Sequence, residues 1–252
     1  MNEKEMNELE TEEEFLENYD LNKYPTMAVA VDLAIFTIKN DKLCALLIKR
    51  GGHPEKGKWA LPGGFVNQDE SVDEAAQREL AEETGLKNMK YYLEQLKTYG
   101  SPNRDKRGYV VSIAYAALVP NMEEPEAGDD AAEAKFVPVD EIFADGFELA
   151  FDHRQIIIDG LERVRAKIEY SPIAPMFLNK EEFTISELRK VYETVWGVEL
   201  NRSNFRRKVQ SVQGFIVNVG KTATPEFDGG RCSDLYKAGN ISNIFPPLKQ
   251  PE

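Results

Sequence analysis

Three glutamates close together in the sequence carry its clearest chemistry. Glu79, Glu82 and Glu83 stand at positions i, i+3 and i+4, so on a helix they would share one face. Carboxylate oxygens suit hard divalent cations such as Mg²⁺ or Mn²⁺, and Mg²⁺ usually keeps waters and takes substrate phosphates as further ligands. The spacing therefore indicates a cation site that can also hold a phosphate. A solvated acidic helix face is the alternative.

The residues around this cluster predict the helix that must position it. Ser71 and Glu74 form a capping box, which starts a helix near Val72. Gly85 suits the left-handed position that ends a helix. Between these ends, apolar residues recur at four-residue spacing and form a narrow seam: Val72, Ala76 and Leu80. The three glutamates therefore lie on a helix that has an apolar side to pack.

The whole segment 64–86 fits one longer pattern, Gly-x5-Glu-x7-Arg-Glu-Leu-x-Glu-Glu-x-Gly-Leu, without a gap or a mismatch. With this pattern the segment closely resembles the Nudix hydrolases. The pattern also fixes Gly64 and Gly85, which a merely solvated acidic face does not need. The resemblance implies an α/β fold, an α/β/α sandwich with a mixed sheet. It also implies hydrolysis of a nucleoside diphosphate linked to another group.

The resemblance assigns roles to the matched residues. It implies a metal shell of three carboxylates and one backbone carbonyl: Glu79, Glu82, Glu83 and Gly64. Catalytic roles are implied for Arg78, Glu79 and Glu82, where Arg78 orients the glutamates. Glu70 would support Arg78 or the metal. A metal-bound water becomes a usable nucleophile near neutral pH. The group that takes its proton stays open between Glu79, Glu82 and the acidic residues of one loop: Asp129, Asp130 and Glu133.

Substrate contacts must come from outside this segment. Arg50 ends a predicted strand before a Gly-Gly loop, and Arg104 and Arg107 lie in a polar, basic connection. These arginines are candidates for phosphate or ribose contacts, and simple loop solvation is the alternative. Trp59 or Phe65 could stack on a base, although core packing is the commoner role for aromatic residues.

Composition limits the class of protein. The chain has 252 residues, enough for one large or two modest domains, and no run of 18 apolar residues, so we expect no membrane span. Cys44 and Cys232 are the only cysteines, which favours a cytoplasmic protein without a disulfide. The formal net charge of −13 is uneven, with a balance of +2 over residues 171–252 and −15 over residues 1–170.

The order of predicted elements divides the chain into three parts. Residues 1–22 form an acidic tail with a short helix, and residues 1–10 are expected to be disordered. Residues 23–170 form the Nudix domain. Two prolines in residues 170–175 indicate a boundary. Residues 171–252 then follow the order helix, turn, basic helix and β-ribbon, which is typical of a winged helix-turn-helix domain.

The second helix of this C-terminal part is the candidate DNA-binding element. We expect Asn201 to cap it and an apolar seam of Phe205, Val209 and Val212 to pack inward. The opposite face presents the candidate DNA contacts Ser203, Arg206, Arg207 and Gln210, with Arg202 at its border. In winged helices the second helix enters the major groove and the ribbon touches phosphates. A small α+β appendage used for dimerisation or packing is the alternative.

The resemblance can be narrowed to one bacterial branch. Residues 59–66, 101–107 and 149–154 are similar to proteins close to the ADP-ribose pyrophosphatases, and residues 183–188 are similar to the start of the winged helix that members of this branch often carry. The branch includes Nudix-related transcriptional regulators of NAD metabolism, in which the Nudix domain senses ADP-ribose and a dimer releases its operator. Such regulators often have an eroded glutamate motif, whereas here every glutamate is present.

The resemblance therefore implies a protein with two functions. The first is a Mg²⁺-dependent or Mn²⁺-dependent hydrolase that cleaves ADP-ribose to AMP and ribose 5-phosphate. The second is a DNA-binding regulator that binds the same ligand, and we expect it to be a homodimer because two-fold operators are the usual target. One alternative is a non-catalytic, ADP-ribose-sensing repressor. Another is a Nudix hydrolase of a different nucleoside diphosphate derivative.

Overall fold

The computed structural model describes residues 11–85, 91–122, 131–223 and 232–251. Predictions for residues 1–10, for Asp129 and for Asp130 fall outside these ranges. Before the sheet come helix α1 (Glu12–Asn18) and a 3-10 turn (Leu21–Lys23). The following elements are β1 (Ala28–Lys39), β2 (Lys42–Arg50), β3 (Trp59–Ala60), β4 (Gly63–Phe65), α2 (Val72–Thr84), β5 (Tyr92–Tyr99), β6 (Val110–Leu118), β7 (Ala131–Pro138), α3 (Val139–Ile142) and α4 (His153–Tyr170).

Strands β1 to β7 form one mixed sheet. Its order is β3-β2-β1-β6-β5, with β4 also paired to β1 and β7 also paired to β2. Strands β1 and β6 run parallel, while the other pairs are antiparallel. The mixed sheet of the sequence prediction is confirmed. Strand β1 pairs with β4 through residues 30–32 and with β2 through residues 36–39, so one strand supports both neighbours.

Helices cover both faces of the sheet. Successive residues of a strand point to opposite faces, and β1 is buried on both. Val31, Leu33 and Ile35 pack in one core cluster with Ala76 and Leu80 of α2. The other face supplies a second cluster that includes α4: Ala34, Phe36, Ile156, Ile157 and Val164. The predicted α/β/α sandwich is confirmed.

The C-terminal part forms the predicted winged helix. Its elements are a 3-10 turn (Ala174–Phe177), α5 (Ile185–Trp196), α6 (Arg202–Ser211), β8 (Ile216–Thr222) and β9 (Asp234–Ala238). Thr184 and Glu187 form a capping box at the start of α5, and Asn201 caps α6 as expected, through the backbone N–H of Asn204. Strands β8 and β9 pair as an antiparallel ribbon. Backbone hydrogen bonds between Phe183 and Tyr236 fix this ribbon to the start of α5.

The two parts of the molecule share a core across the expected boundary. The hydroxyl of Tyr192 in α5 donates to the carbonyl oxygen of Ile168 in α4 at 3.0 Å, and Tyr192 is fully buried. The last residues return to the same helix, since the backbone N–H of Ile244 donates to the carbonyl oxygen of Tyr170 at 2.7 Å. The division at residue 170 stays a prediction, because α4 is common to both packing units.

Several local predictions need correction. Residues 59–60 and 63–65 form short strands that the sequence pattern did not reveal, because two or three residues are too few for an alternation to show. The sequence predicts only a short strand over residues 136–139, whereas β7 spans Ala131–Pro138 and pairs with β2 along this length. Within the described ranges, no helix combines the length and apolar character needed to cross a membrane.

Candidate functional site

Helix α2 forms as the sequence predicts. The Ser71 hydroxyl accepts the backbone N–H of Glu74, and the Glu74 carboxylate accepts the backbone N–H of Ser71 at 2.8 Å. Gly85 ends the helix with φ of 67°, in the left-handed region. Ala76 and Leu80 bury the apolar side against the sheet. Glu79 is buried beside this apolar side and approaches Gly64 in the strand that precedes the helix.

Arg78 is the centre of the carboxylate cluster. Its Nε and Nη2 donate to the two carboxylate oxygens of Glu70, at 3.0 and 2.7 Å. Its Nη1 donates to Glu79 at 2.7 Å and to Glu82 at 3.3 Å. Nη2 also donates to the carbonyl oxygen of Phe65 at 3.3 Å. One guanidinium group thus orients the carboxylates of Glu70, Glu79 and Glu82 and also binds strand β4.

The hydrogen bonds have a clear electrostatic consequence. The Arg78 guanidinium, helped by the backbone N–H of Asn67, lowers the pKa of Glu70 to about 2. The carboxylates of Glu70 and Glu79 also raise the pKa of Arg78 above its ordinary value. Glu70 therefore stays ionised and is the fixed partner of Arg78, while its supporting role in the site stays a prediction.

Glu79 lies against Gly64 in strand β4. A Cβ atom on Gly64 would lie 2.2 Å from Oε1 of Glu79, so a larger residue would displace the carboxylate that Arg78 holds. Glu79 is buried, and burial raises the pKa of its carboxyl although Arg78 opposes the shift. The close packing explains why Gly64 belongs to the motif.

Glu83 has the feature that best fits a cation. Its Oε2 is buried and accepts no hydrogen bond within the described residues. Burial, joined by the negative charges of Glu79 and Glu82, raises the pKa of the Glu83 carboxyl. A buried carboxylate oxygen without a partner is costly, and a divalent cation would satisfy it. The donor set of carboxylates and a backbone carbonyl also suits Mg²⁺ or Mn²⁺.

The carboxylates are not yet gathered around one point. In the ranges that the structure describes, no group of three or more acidic, histidine or cysteine side chains is arranged to hold a metal ion. Arg78 accounts for this arrangement, since it holds Glu79 and Glu82. A cation at Glu83 would compete with Arg78 for these oxygens.

Glu133, one candidate proton acceptor, is exposed on β7 and lies 3.9 Å from Lys135.

A cavity of about 340 Å³ lies beside the carboxylates. Its lining includes Gly63, Gly64 and Phe65 of β4, together with the three predicted substrate arginines: Arg50, Arg104 and Arg107. Phe65 is exposed on this lining, which keeps it available for stacking. Trp59 instead packs against Phe147, with ring centroids 6.4 Å apart, and is not part of the lining.

Arg104 is buried and ion-paired within the fold, which its position in a basic loop did not suggest. Its side chain is only 5% exposed. It donates to both carboxylate oxygens of Asp152, at 2.9 and 2.5 Å, and to Asp32 at 3.3 Å. These bonds occupy two of its three nitrogens. Arg104 therefore joins strand β1 to the residue that precedes helix α4.

The buried His153 is a cavity residue that sequence reasoning missed. The backbone N–H of Leu61 donates to its Nδ1 at 2.8 Å, which leaves the proton of the neutral ring on Nε2. Nε2 lies 3.5 Å from a carboxylate oxygen of Asp32. Burial lowers the pKa of His153 below its ordinary value. The ring is therefore a neutral brace between β1, the loop before β4 and α4.

The predicted DNA-binding face is exposed as expected. Phe205, Val209 and Val212 are buried, and the residues proposed to contact DNA are all exposed: Arg202, Ser203, Arg206, Arg207 and Gln210. Arg206 lies 3.5 Å from Asp234 in the wing. Gln210 donates to the hydroxyl of Tyr236 at 3.2 Å, so part of its hydrogen-bonding capacity is used within the domain.

Comparison with known proteins gives a consistent result. Residues 27–159, more than half of the chain, match the family model of the NUDIX domain. The chain belongs to the Nudix family. Residues 175–238 match the model of the NrtR DNA-binding winged helix domain. The protein is thus a Nudix domain followed by a winged-helix domain, and Nudix hydrolases generally use divalent metals.

Three relatives are informative. The ADPR responsive transcriptional repressor NtrR of Acinetobacter baylyi is 33% identical over 229 residues, covering 90% of this chain and 88% of that protein. The ADP-ribose pyrophosphatase of Methanocaldococcus jannaschii is 46% identical over 144 residues, covering 57% of this chain and 78% of that protein. The crystal structure of Shewanella oneidensis NrtR with a 27mer DNA has a TM-score of 0.73 and 31% identity, covering 88% of this chain and 99% of that one.

Proposed function

We propose that this protein is a Mg²⁺-dependent or Mn²⁺-dependent hydrolase of ADP-ribose that also regulates transcription by binding DNA. One observation carries the proposal. Gly64 lines the arginine-containing cavity and at the same time touches Glu79 of the carboxylate cluster. A ligand in the cavity would therefore place its pyrophosphate beside the cation site. The expected products are AMP and ribose 5-phosphate.

The residues of the site divide into holding and orienting groups. The proposed cation ligands are Glu79, Glu82, Glu83 and the carbonyl oxygen of Gly64. A bound cation would neutralise charge that develops on the pyrophosphate and lower the pKa of a coordinated water. Arg78 keeps Glu79 and Glu82 on the side of β4. Arg50 supplies positive charge at the cavity wall, where it can meet a phosphate.

Helix α4 offers a physical connection between ligand and DNA. It begins at His153, in the cavity lining, and ends at Tyr170, beside the winged-helix domain. Near its end, Ile168 accepts a hydrogen bond from Tyr192 of α5. A shift of α4 on ligand binding would therefore reach the helix that packs against α6. This connection supports regulation by the same ligand that the hydrolase site binds.

The relatives support both halves of the proposal. One is named an ADPR responsive transcriptional repressor and another an ADP-ribose pyrophosphatase, while a third was crystallised with DNA. We extend ADP-ribose binding, DNA binding and a link with NAD metabolism to this chain on that basis. A homodimer in the cytoplasm is part of the proposal, because two-fold symmetric operators are usually read by two-fold dimers.

A sensor without catalysis is the second candidate. It is favoured by Arg78, which holds Glu79 and Glu82 and competes with any cation for them. In that case the cavity would bind ADP-ribose, and the intact motif would serve ligand binding alone. Hydrolysis of a different nucleoside diphosphate derivative would use the same residues, with a different group in the cavity.

The test is release of AMP from ADP-ribose in the presence of Mg²⁺. The double variant Glu82→Gln with Glu83→Gln should lose this activity, because it removes two proposed cation ligands. Glu12→Gln with Glu13→Gln is the matched control, since these exposed glutamates lie in α1, outside the site. Activity that persists in the Glu82/Glu83 variant would exclude this ligand set. No activity in the wild type, with ADP-ribose still raising the melting temperature, would favour the sensor.

A further inference from the structure

Two arginines and two phenylalanines alternate along the cavity wall. The guanidinium of Arg50 lies over the ring of Phe151, 4.9 Å from its centroid. The guanidinium of Arg107 lies 5.8 Å from the same ring and 5.1 Å from the ring of Phe65. All four side chains line the cavity. Among the described residues, Phe151 contacts both arginines in this cation–π geometry, whereas Phe65 contacts only Arg107.

Phe151 occupies an unusual backbone conformation. Its φ is 51°, in the left-handed region that bulky side chains rarely adopt. Anchors on both sides hold it there. The backbone N–H of Ala150 donates to the carbonyl oxygen of Trp59 at 2.7 Å, and Asp152 binds Arg104 at 2.5 Å. The fold therefore maintains a costly conformation that turns this ring towards the cavity, which indicates a role beyond core packing.

The two guanidinium groups differ in their charge partners. Arg107 binds the carboxylate of Asp105 at 2.6 Å. Arg50 donates from Nε to the carbonyl oxygen of Pro54 at 2.9 Å, and within the described ranges it forms no ion pair. Burial and the neighbouring Arg107 lower the pKa of Arg50. A partly buried cation next to a second cation is a suitable place for an anion to bind.

The four side chains Arg50, Phe151, Arg107 and Phe65 form a stack that ends beside the proposed cation site. Phe65, its last ring, offers its backbone carbonyl to Nη2 of Arg78 and follows directly after Gly64. An anion held along the stack therefore lies next to the carboxylates of α2. A diphosphate fits this arrangement, because one end can meet the guanidinium groups while the other approaches the cation site.

We infer that Phe151 is a positioning residue, which holds the guanidinium groups of Arg50 and Arg107 side by side to receive the diphosphate of the ligand. The ring covers the flat faces of the guanidinium groups and leaves the N–H groups that Asp105 and Pro54 do not occupy for hydrogen bonds to phosphate oxygens. The inference rests on the proposed function for the identity of the ligand. It goes beyond that function by assigning diphosphate binding to a residue that makes no polar contact itself.

The test compares two variants of Phe151 in binding titrations with inorganic pyrophosphate and, separately, with ADP-ribose. EDTA is present, so that divalent cations do not contribute. Phe151→Leu keeps an apolar side chain but loses the ring face, and should weaken pyrophosphate binding about tenfold, as two cation–π contacts suggest. Phe151→Tyr keeps the ring and should bind nearly as the wild type does. With Mg²⁺ and ADP-ribose, Phe151→Leu should raise KM and change kcat much less.

A second comparison tests whether Phe151 acts through Arg50. In an Arg50→Ala background, Phe151→Leu should cause much less further loss of pyrophosphate affinity than it does in the wild type. If Phe151→Leu proves unstable, Phe151→Gly replaces it, because glycine adopts a φ of 51° without strain. Unfolding midpoints of all variants test whether the fold is kept.

The outcomes separate this inference from the proposed function. Pyrophosphate binding that depends on Phe151, without binding or cleavage of ADP-ribose, would support the positioning role and reject the ligand. Full additivity of the Arg50 and Phe151 effects would overturn the inference. So would wild-type affinity in Phe151→Leu, or a wild-type protein that binds no pyrophosphate at all in EDTA.

Discussion

Trp196 of the winged-helix domain donates its indole N–H to the carbonyl oxygen of Arg165 in helix α4, at 3.1 Å. Arg165 completes the pair, since its Nε donates to the carbonyl oxygen of Val195 at 2.9 Å. These bonds join the last turn of α5 to helix α4, whose first residue, His153, lines the cavity beside the carboxylates. A change in the position of α4 therefore acts directly on the end of α5, just before the turn that leads to α6.

Removing one of these bonds should weaken the coupling between ligand and DNA. Trp196→Phe keeps an aromatic ring beside Tyr192, now 4.9 Å from the indole, but loses the N–H donor. We expect a stability loss of about 1 kcal/mol, typical of one neutral hydrogen bond. The factor by which ADP-ribose changes DNA affinity should fall, while ADP-ribose binding stays at the wild-type level. DNA titrations with and without ADP-ribose measure this factor.

An aromatic substitution away from the domain contact provides the control. Tyr109→Phe changes an exposed residue just before β6 and should leave the coupling factor unaltered. If Trp196→Phe also retained the full factor, α4 and α5 would not transmit the ligand signal through this contact.

Arg104 should matter for stability more than for ligand contact. Arg104→Met removes a buried cation and leaves the carboxylates of Asp32 and Asp152 without their ion pair, so we expect a loss of about 3 kcal/mol in unfolding free energy. Arg107→Met removes a cation that is 43% exposed but leaves the buried carboxylate of Asp105 without its partner, so we expect a smaller loss of about 2 kcal/mol. Urea unfolding of both variants gives the comparison. An Arg104 variant of unchanged stability that no longer binds ADP-ribose would restore its sequence-based role as a substrate contact.

The contrast between these arginines shows what sequence could and could not predict. The carboxylate helix was predictable because its capping box, seam and ending glycine all lie within one segment, and local rules decide each of them. The partners of Arg104 lie 48 and 72 residues away in the chain. No local pattern contains that pairing, so the sequence offered only a basic loop and two equally plausible roles.

His153 illustrates the same limit. Leu61, which fixes its tautomer, is 92 residues away, and the contact depends on how β3, β4 and α4 meet. The winged helix contains both predictable local features and contacts between distant residues. The Asn201 cap and the apolar seam of α6 are local and were predicted correctly, whereas the hydrogen bond from Gln210 to Tyr236 arises only when the ribbon folds back onto α6.

His153 should give the protein a defined pH dependence. Burial lowers its folded-state pKa, with Arg104 and Arg50 opposing protonation and Asp32 and Asp152 favouring it. Above the ordinary value of 6.5, the ring is neutral in both folded and unfolded chains, and stability is complete. As the pH falls below 6.5, the unfolded chain takes the proton first, so unfolding free energy declines until the folded-state pKa is reached. The slope from this residue is at most about 1.4 kcal/mol per pH unit.

His153→Asn should remove this dependence. The Asn side chain can still accept from the backbone N–H of Leu61, but it does not titrate. Unfolding free energy measured from pH 7.5 to 5 should therefore be flatter in this variant than in the wild type. His53→Asn, which alters an exposed histidine, is the control. Equal pH profiles for His153→Asn and the wild type would show that protonation of His153 does not govern acid stability.

The basic face of α6 should determine DNA affinity through its charge. Arg206→Ala with Arg207→Ala should abolish retention of operator DNA in a gel shift, and the salt dependence of residual binding should fall by about two in slope, one for each lost phosphate contact. Both side chains are exposed, so the fold and ADP-ribose binding should be kept. Lys42→Ala with Lys135→Ala removes two cations from the Nudix domain and is the charge-matched control. Equal loss in both double variants would mean that overall charge, rather than this helix face, controls DNA binding.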